Sequence, residues 1–372
     1  MVGDILGYEG GVSERPILCR SGGPGSPAGG CRGALVLVAA LAILIPGPAR
    51  AEYAPGINTR TLTHDAAVRD YDVYAPVGYP GAQPVALVVD IHGFGSDKIG
   101  HRGISGWTAK AETEGFLVAH PNGLLNAWNA GVCCGVAVTN AVDDVGFLRA
   151  MVEAIVAEGS LDPSRIYVTG LSNGGAMSHR LACEAADLFA AAAPMAFPVP
   201  YSDFASQCQP ARPIPVLAFM GLSDIVIPYV NGPPFFFGGA QPSLAAWRSK
   251  NACGVGPLEV QEVYGGSDCQ LDTSCAEGVE VGLCSVRGSA LAPPFDIYSG
   301  HILYFNDDGM VLPDRAWTFF DAIAVPEPGL ASLSMAALLT VGVLRARTRW
   351  ARPMSPRHSM KRSRSLESTR SR

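Results

Sequence analysis

The sequence predicts an α/β fold, in which a mostly parallel central sheet is covered by helices on both faces. Three apolar runs, residues 85–91, 165–169 and 215–220, have the length and composition of buried parallel strands. Helical patterns lie between them, the clearest in residues 143–157, where apolar side chains recur on one face. Strands that alternate with helices in this way suit one domain with one core, which we assign to residues 52–324.

The second predicted strand leads into a Gly-Leu-Ser-Asn-Gly sequence, residues 170–174, which is followed by helical sequence. A serine at the apex of a sharp strand-to-helix turn projects its hydroxyl above the sheet, and flanking glycines avoid collisions with neighbouring backbone. An ordinary Gly/Ser/Asn turn is the alternative. The strand before the motif and the helix after it favour a nucleophile elbow, with Ser172 as the nucleophile.

A nucleophile elbow predicts an acid and then a histidine further along the chain. Asp224 lies just past the third predicted strand, at the strand end where ligand sites gather in open α/β sheets. His301 lies in a loop before a helical pattern, whereas His179 falls on the helix after the elbow and His358 lies in a basic tail. Asp224 and His301 are therefore the candidate acid and base.

The first predicted strand is followed by His92-Gly93-Phe94-Gly95. A glycine-containing turn at this position supplies one backbone N–H to an oxyanion hole, and the residue after the nucleophile supplies the other. We expect Phe94 and Asn173 to be these donors, which would stabilise a tetrahedral intermediate. If all four features were ordinary strand-end turns, their order along the chain would be a coincidence.

Beyond these turns, the chain resembles the secreted polyhydroxybutyrate depolymerase-like esterases, which include feruloyl and acetylxylan esterases of the α/β-hydrolase fold. The resemblance extends from about Arg60 to Ile323. It is carried by VDIHG at 89–93, HPNG at 120–123, WN at 128–129, CCG at 133–135, VDDVGFL at 142–148, DPSRIYVTGLSNGG at 162–175 and RLACE at 180–184.

This resemblance implies that Ser172 is the nucleophile, Asp224 the acid and His301 the base. One departure concerns the histidine, because residues 298–304 read Tyr-Ser-Gly-His-Ile-Leu-Tyr where members often have Gly-Gly-Gly-His-Thr-Trp-Pro. In such a triad the histidine takes the serine proton, and water later releases the acyl group. No metal or organic cofactor is expected.

The sequence also points to residues outside the candidate triad and oxyanion hole. His92 and Trp128 are candidates for substrate binding, although Trp128 is equally typical of a core residue. Residues 233–239, rich in phenylalanine, predict either an aromatic wall over the site or a packed loop. Asp143 and Asp144 are expected to cap the following helix rather than to act in catalysis.

The amino-terminal leader, residues 1–51, has the features of a secretory signal peptide. An apolar stretch at 34–45 follows Arg32 and precedes Ala49-Arg50-Ala51, and we predict cleavage after Ala51. A membrane anchor is the alternative, but about 12 apolar residues are too few to span a bilayer.

Near the carboxyl end, residues 325–350 resemble the PEP-CTERM sorting signals of Gram-negative bacteria. Pro326-Glu327-Pro328 precedes an apolar segment, 329–344, which is followed by arginines. The resemblance implies an exosortase-type processing enzyme as a partner and membrane contact through this segment alone. A simple Pro-bounded helix is the alternative. The Ser/Arg-rich tail, 351–372, is expected to be disordered.

The net charge of residues 52–325, the body of the protein, argues against nucleic acid and anionic lipid as partners. The whole chain carries a net charge of −6, but without its two basic ends, residues 52–325 carry 13 basic and 28 acidic side chains, or −15. Such a body is expected to repel nucleic acid and anionic lipid surfaces. The candidate triad of Ser172, Asp224 and His301 predicts a small or oligomeric ester as the substrate.

The cysteines indicate export. Two of the ten lie in the leader, and the even set that remains predicts disulfides: Cys133, Cys134, Cys183, Cys208, Cys253, Cys269, Cys275 and Cys284. We expect local bridges within residues 253–284. A bond between adjacent Cys133 and Cys134 would close a strained ring, so each is expected to find a distant partner, such as Cys183 or Cys208.

Three functions are compatible with the sequence. The first is a secreted serine carboxylester hydrolase, located in the cell envelope, at the surface or outside the cell. The second is a catalytically silent α/β-hydrolase that serves as an envelope binding module, which the unusual surroundings of His301 suggest. The third is a serine peptidase on the same fold.

Overall fold

The computed structural model describes residues 53–79, 83–201, 203–232 and 238–323. Ten strands are described: β1 (Gly56–His64), β2 (Ala67–Ala75), β3 (Val85–Ile91), β4 (Leu117–Pro121), β5 (Leu161–Leu171), β6 (Ala191–Met195), β7 (Val216–Gly221), β8 (Glu259–Tyr264), β9 (Ser267–Asp272) and β10 (Val281–Val286). Eight α-helices are described: α1 (Lys98–Ser105), α2 (Trp107–Glu114), α3 (Gly135–Thr139), α4 (Asp144–Glu158), α5 (Asn173–Glu184), α6 (Phe204–Gln207), α7 (Ala240–Lys250) and α8 (Leu312–Asp321).

The strands form one sheet in the order β1-β2-β4-β3-β5-β6-β7-β10-β9-β8. Strands β4, β3, β5, β6, β7 and β10 are parallel, and antiparallel pairs close both edges. The predicted mostly parallel sheet is therefore confirmed. The three strands predicted from apolar runs correspond to β3, β5 and β7, and the clearest helical pattern corresponds to α4.

Side chains of the central strands pack on both faces of the sheet. In β3, Leu87 and Val89 belong to one buried cluster, whereas Ala86 and Val88 belong to another. Because successive side chains of a strand point to opposite faces, both faces of the sheet are covered. This explains why β3 is a continuous apolar run rather than an alternating one.

The parallel arrangement also positions the candidate site. Strands β3 and β5 are neighbours, with Ile91 opposite Gly170, and β7 lies two strands further along. The carboxyl ends of these three strands therefore meet at one edge of the sheet. The turns that carry the residues predicted for catalysis follow directly from these ends.

Two of the four described disulfides agree with the sequence prediction and two correct it. Cys253–Cys275 and Cys269–Cys284 are the expected local bridges. Cys183 pairs with Cys208, so neither is left for the loop after Trp128. The remaining two cysteines, Cys133 and Cys134, are joined to each other, and the prediction of distant partners was wrong.

The paired aspartates before α4 have different roles. Asp143 caps the helix, since its carboxylate accepts a hydrogen bond from the N–H of Gly146 at 2.9 Å. Asp144 is buried and instead accepts hydrogen bonds from Arg69, at 2.8 Å, and from the N–H of Asn129, at 2.7 Å. The predicted capping role is thus confirmed for Asp143, while Asp144 neutralises a buried arginine.

Several sequence predictions fall outside the described residues. They are the leader at 1–51, the sorting segment at 325–350, the tail at 351–372 and most of the phenylalanine-rich stretch at 233–239. Among the residues that are described, no helix has both the length and the apolar character needed to cross a bilayer.

Candidate active site

Ser172 occupies a sharp turn between β5 and α5. Its backbone has φ 59° and ψ −119°, a conformation that costs a non-glycine residue energy and is found mostly at functional sites. The N–H of Ser172 donates to the carbonyl of Met195 at 2.8 Å, which fastens the turn to β6. A Cβ atom on Gly174 would overlap the carbonyl oxygen of Ile91, so glycine is required where β3 passes the turn.

Asp224 and His301 form a buried pair. His301 Nδ1 lies 2.7 Å from Asp224 Oδ2, and the two residues are only 4% and 6% exposed. The other carboxylate oxygen, Oδ1, accepts hydrogen bonds from the N–H groups of Val226 and Ile227, both at 2.8 Å. Because a carboxylate only accepts, the proton lies on His301 Nδ1, and Nε2 remains for another partner.

The loop before His301 also requires a glycine. Gly300 has φ 70°, and a Cβ atom there would collide with the carbonyl oxygen of Ser223, next to Asp224. This close approach brings the two loops together and places Asp224 beside His301. The Ser-Gly-His sequence in this chain thus supports the same pairing although the flanking residues depart from the family pattern.

Ser172 and His301 line one cavity of about 330 Å³. Its walls also include Phe94, Ile104, Phe295 and Tyr298, so most of the lining is apolar or aromatic. Among the described residues, Ser172 Oγ has no hydrogen-bond partner. Hydrogen bonds between a nucleophile and its base commonly tighten only when substrate binds.

The predicted oxyanion donors both lie at the cavity end of the sheet. In the turn after β3, the N–H of Gly95 donates to Asn126 O at 2.8 Å, and that of Ser96 donates to Gly93 O at 3.2 Å. The N–H of Phe94 has no partner among the described residues. Asn173 is the first residue of α5, where backbone N–H groups lack partners within the helix.

His92 and Trp128, the predicted substrate-binding candidates, are both fully buried. His92 Nε2 accepts from the N–H of Gly123 at 2.9 Å, so Nδ1 carries the proton and donates to Gly93 O at 2.8 Å. Burial lowers the pKa of His92 to about 4, which keeps the ring neutral near pH 7. Neutral His92 therefore braces the turn that presents Phe94.

Trp128 belongs to the core, one of the two alternatives that its sequence left open. Its indole Nε1–H donates to the carbonyl of His92 at 3.0 Å, and its ring stacks on Phe147. The side chain of Asn173 makes two hydrogen bonds to the backbone of Trp128. It accepts from the N–H of Trp128 at 2.8 Å and donates to the carbonyl of Trp128 at 3.1 Å. Trp128 thus links the turn after β3 to the elbow at Ser172.

Sequence analysis missed a second histidine and carboxylate pair at the cavity. His101, on α1, lines the cavity, and its Nε2 lies 2.8 Å from Oδ1 of Asp90, on β3. The available signal was the position of Asp90 inside an apolar strand. A carboxylate buried there needs a partner from elsewhere in the fold.

Comparison with known proteins agrees with this architecture. Residues 139–207, which include the elbow, match the model of the prolyl oligopeptidase family, Peptidase_S9. The chain has the α/β-hydrolase fold. The match covers less than a fifth of the chain, and the fold assignment also depends on the strand order and on the turns described above.

Several curated proteins are similar to the chain. It is 36% identical to feruloyl esterase B of Piromyces equi, over 58% of this chain and 41% of that protein. It is 27% identical to the probable feruloyl esterase C of Aspergillus niger, over 70% and 86%. It is 34% identical to poly(3-hydroxyalkanoate) depolymerase C of Paucimonas lemoignei, over 33% and 30%. The chain therefore spans less than half the length of two of these three relatives.

Proposed function

We propose that this chain is a secreted serine carboxylester hydrolase that acts through an acyl-enzyme on short-chain or polymer-derived esters. The observation that carries the proposal is the arrangement at the cavity. Ser172 lies on a strained elbow, and the hydrogen-bonded pair of Asp224 and His301 opens on the same cavity. The names of the relatives, which are esterases and a depolymerase, support an esterase of this kind.

In the proposed mechanism, Ser172 Oγ attacks the ester carbonyl while His301 Nε2 takes its proton. Asp224 holds Nδ1 of the same ring, which keeps Nε2 free to accept and stabilises the imidazolium that forms. The proton then passes to the departing alcohol as the acyl-enzyme forms. Water repeats the cycle, again with His301 as base, and releases the acid.

The backbone N–H groups of Phe94 and Asn173 are the proposed oxyanion donors. Both would donate to the carbonyl oxygen as it gains negative charge, and one such donor typically contributes about 10²- to 10³-fold to turnover. The neutral ring of His92 and the core position of Trp128 would hold these amides in place. No charged side chain is needed for this stabilisation.

The proposal is tested with p-nitrophenyl butyrate, whose hydrolysis releases a coloured alcohol. We expect a pre-steady-state burst of about one p-nitrophenol per enzyme if the acyl-enzyme accumulates. Ser172→Ala should remove the activity. Ser206→Ala is the matched control, because Ser206 is exposed on α6 and does not line the cavity, and this protein should retain the activity. Full activity in the Ser172→Ala protein would contradict the proposal.

A serine peptidase is the second candidate, because the matched family model is that of prolyl oligopeptidases. A matched set of esters and peptide amides with the same acyl group separates the two. An esterase should favour the ester far more than the intrinsic reactivity of the two bonds explains. A silent binding module would hydrolyse neither.

We further propose that the chain is exported and sorted. The leader at 1–51 would be removed after Ala51, and the segment at 325–350, processed by an exosortase-type enzyme, would be the only part to contact a membrane. Disulfides in the body support an oxidising compartment. Intact-mass analysis of the protein from its native host tests this, because cleavage at both ends gives a defined mass.

A further inference from the structure

A second histidine and carboxylate pair lies beside the cavity, outside the proposed triad. His101 is 1% exposed and contributes to the cavity wall, while Asp90 is buried behind it. The pair is held by two rigid elements, since Asp90 is on β3 and His101 is on α1. Neither residue has a part in the proposed acyl transfer.

The surroundings of Asp90 define its partners. His101 Nε2 is 2.8 Å from Asp90 Oδ1, whereas His120 Nδ1 is 3.3 Å from Oδ2 without the geometry of a hydrogen bond. Burial alone would raise the pKa of Asp90, but the two histidines outweigh it and lower that pKa below its usual range. Burial also lowers the pKa of His120. Asp90 is therefore a carboxylate that depends on His101 for a good hydrogen bond.

The contact with Asp90 determines the tautomer of the neutral His101 ring. A carboxylate only accepts hydrogen bonds, so the Nε2–H of His101 is the donor. In the neutral ring the lone pair then lies on Nδ1. This nitrogen has no hydrogen-bond partner among the described residues, and His101 is part of the cavity wall. The edge of Tyr304 packs against the ring, with centroids 5.9 Å apart, which limits its rotation.

Besides His101, Ser172 and His301, the polar side chains in the cavity wall are those of Ser96 and Tyr298. Phe94, Ile104, Phe295 and Ile302 supply apolar surface around the cavity, and Ser172 and His301 are assigned to the chemistry. Pockets for small molecules commonly combine such a lining with a few polar groups that select the ligand. An acceptor nitrogen fits a ligand that offers a hydroxyl hydrogen.

We propose that His101 is a specificity-determining residue whose Nδ1 accepts a hydrogen bond from a hydroxyl group on the acyl part of the substrate. The inference rests on the proposed esterase function, which makes this cavity the acyl site. An aliphatic hydroxyacyl ester and a phenolic ester share this chemistry. The cavity would therefore prefer either kind over the same ester without its hydroxyl.

The experiment compares two ester pairs that differ only in that hydroxyl. One pair is p-nitrophenyl 3-hydroxybutyrate and p-nitrophenyl butyrate, and the other is methyl 4-hydroxycinnamate and methyl cinnamate. For each pair, kcat/KM is measured at pH 8 with the wild-type protein, with His101→Gln and with Tyr298→Phe. A glutamine amide can replace the Nε2–H that binds Asp90, but it leaves no atom at the position of Nδ1.

We expect His101→Gln to lower the hydroxyl preference by about tenfold in at least one pair, as the loss of one hydrogen bond predicts. The pair that responds tells an aliphatic hydroxyl from a phenolic one. Tyr298→Phe removes another polar group from the wall and should leave the preference intact. An equal loss on both members of each pair, or a loss of preference in Tyr298→Phe instead, would overturn the inference.

A binding measurement keeps the test independent of turnover. The four esters are titrated against Ser172→Ala protein and against Ser172→Ala/His101→Gln protein, and the ratio of Kd values within each pair is compared. If the wild-type protein hydrolyses no ester, the proposed function fails, but these ratios still decide the role of His101. Ratios that do not change between the two proteins would reject that role.

Discussion

Two histidine and carboxylate pairs border one cavity, but they are built in opposite ways. Asp224 binds Nδ1 of His301, which leaves Nε2 available. Asp90 binds Nε2 of His101, which leaves Nδ1. The first pair joins two loops at strand ends, whereas the second joins a strand to a helix.

The difference shows how the same two residue types acquire different roles. The ring nitrogen that binds the carboxylate determines which nitrogen is left to accept a hydrogen bond. The elements that carry each pair determine where that nitrogen lies. The order of the chain and the loops at β5 and β7 favour His301 as the base for Ser172. The fixed position of His101 on α1 suits recognition instead.

The largest expected difference between the two pairs is in turnover. His301→Ala should lower kcat by roughly 10⁴- to 10⁶-fold, since removing a triad histidine eliminates both the base and the later acid. His101→Gln should cost far less on p-nitrophenyl butyrate. Steady-state kinetics of both proteins test this, and the opposite order would reassign the base to His101.

The second difference is expected in the turnover of proteins with substitutions at Asp224 and at Asp90. Asp224→Asn should lower kcat by about 10⁴-fold, because an amide at this position favours the wrong tautomer of the histidine. The same substitution at Asp90 affects no ring that acts as a base in the proposed mechanism. Kinetics of the two Asn variants, with circular dichroism to verify folding, measure the contrast. Equal losses would remove the distinction between the pairs.

Folding stability should depend on the hydrogen bond between His101 and Asp90. His101→Leu leaves the carboxylate of Asp90 buried without its best partner, which is expected to lower the free energy of unfolding by about 3 kcal/mol or more. His101→Gln, which can still donate to Asp90, should lose much less. Urea unfolding of the two variants tests this. If both are as stable as the wild-type protein, Asp90 does not depend on His101.

The last contrast concerns acid stability and His92, the buried histidine next to the turn after β3. The folded protein holds the pKa of His92 at about 4, below the ordinary value of 6.5. The unfolded state therefore binds more protons between these values, and the free energy of unfolding should fall as the pH drops from about 6.5 to about 4. His92→Gln should weaken this dependence in urea titrations. His179, whose pKa burial also lowers to about 4, should retain its own share.

Local patterns account for what the sequence could predict. The strands β3, β5 and β7 are short apolar runs, and the turns after them carry glycines that close backbone contacts require. Asp224 and His301 could be proposed because each follows a recognisable element in the expected order. The order of the strands in the sheet then places the loops of Asp224 and His301 next to each other.

Contacts between distant elements could not be predicted in the same way. The bond between Asp90 and His101 depends on how α1 packs on the sheet, and no local pattern encodes it. Trp128 lies in the core, where the side chain of the distant residue Asn173 binds its backbone. The bond between Cys183 and Cys208 joins two distant segments, and it leaves neither cysteine free to bond to Cys133 or Cys134, which are bonded to each other.

In the proposed mechanism, Ser172 is the nucleophile and His301, rather than His101, activates it. Labelling with a fluorophosphonate, followed by peptide mass spectrometry and rate measurement, tests both parts at once. We predict a single adduct on Ser172 that forms rapidly in the wild-type protein and in His101→Gln, but very slowly in His301→Ala. An adduct on another residue, or rapid labelling of His301→Ala, would contradict the account.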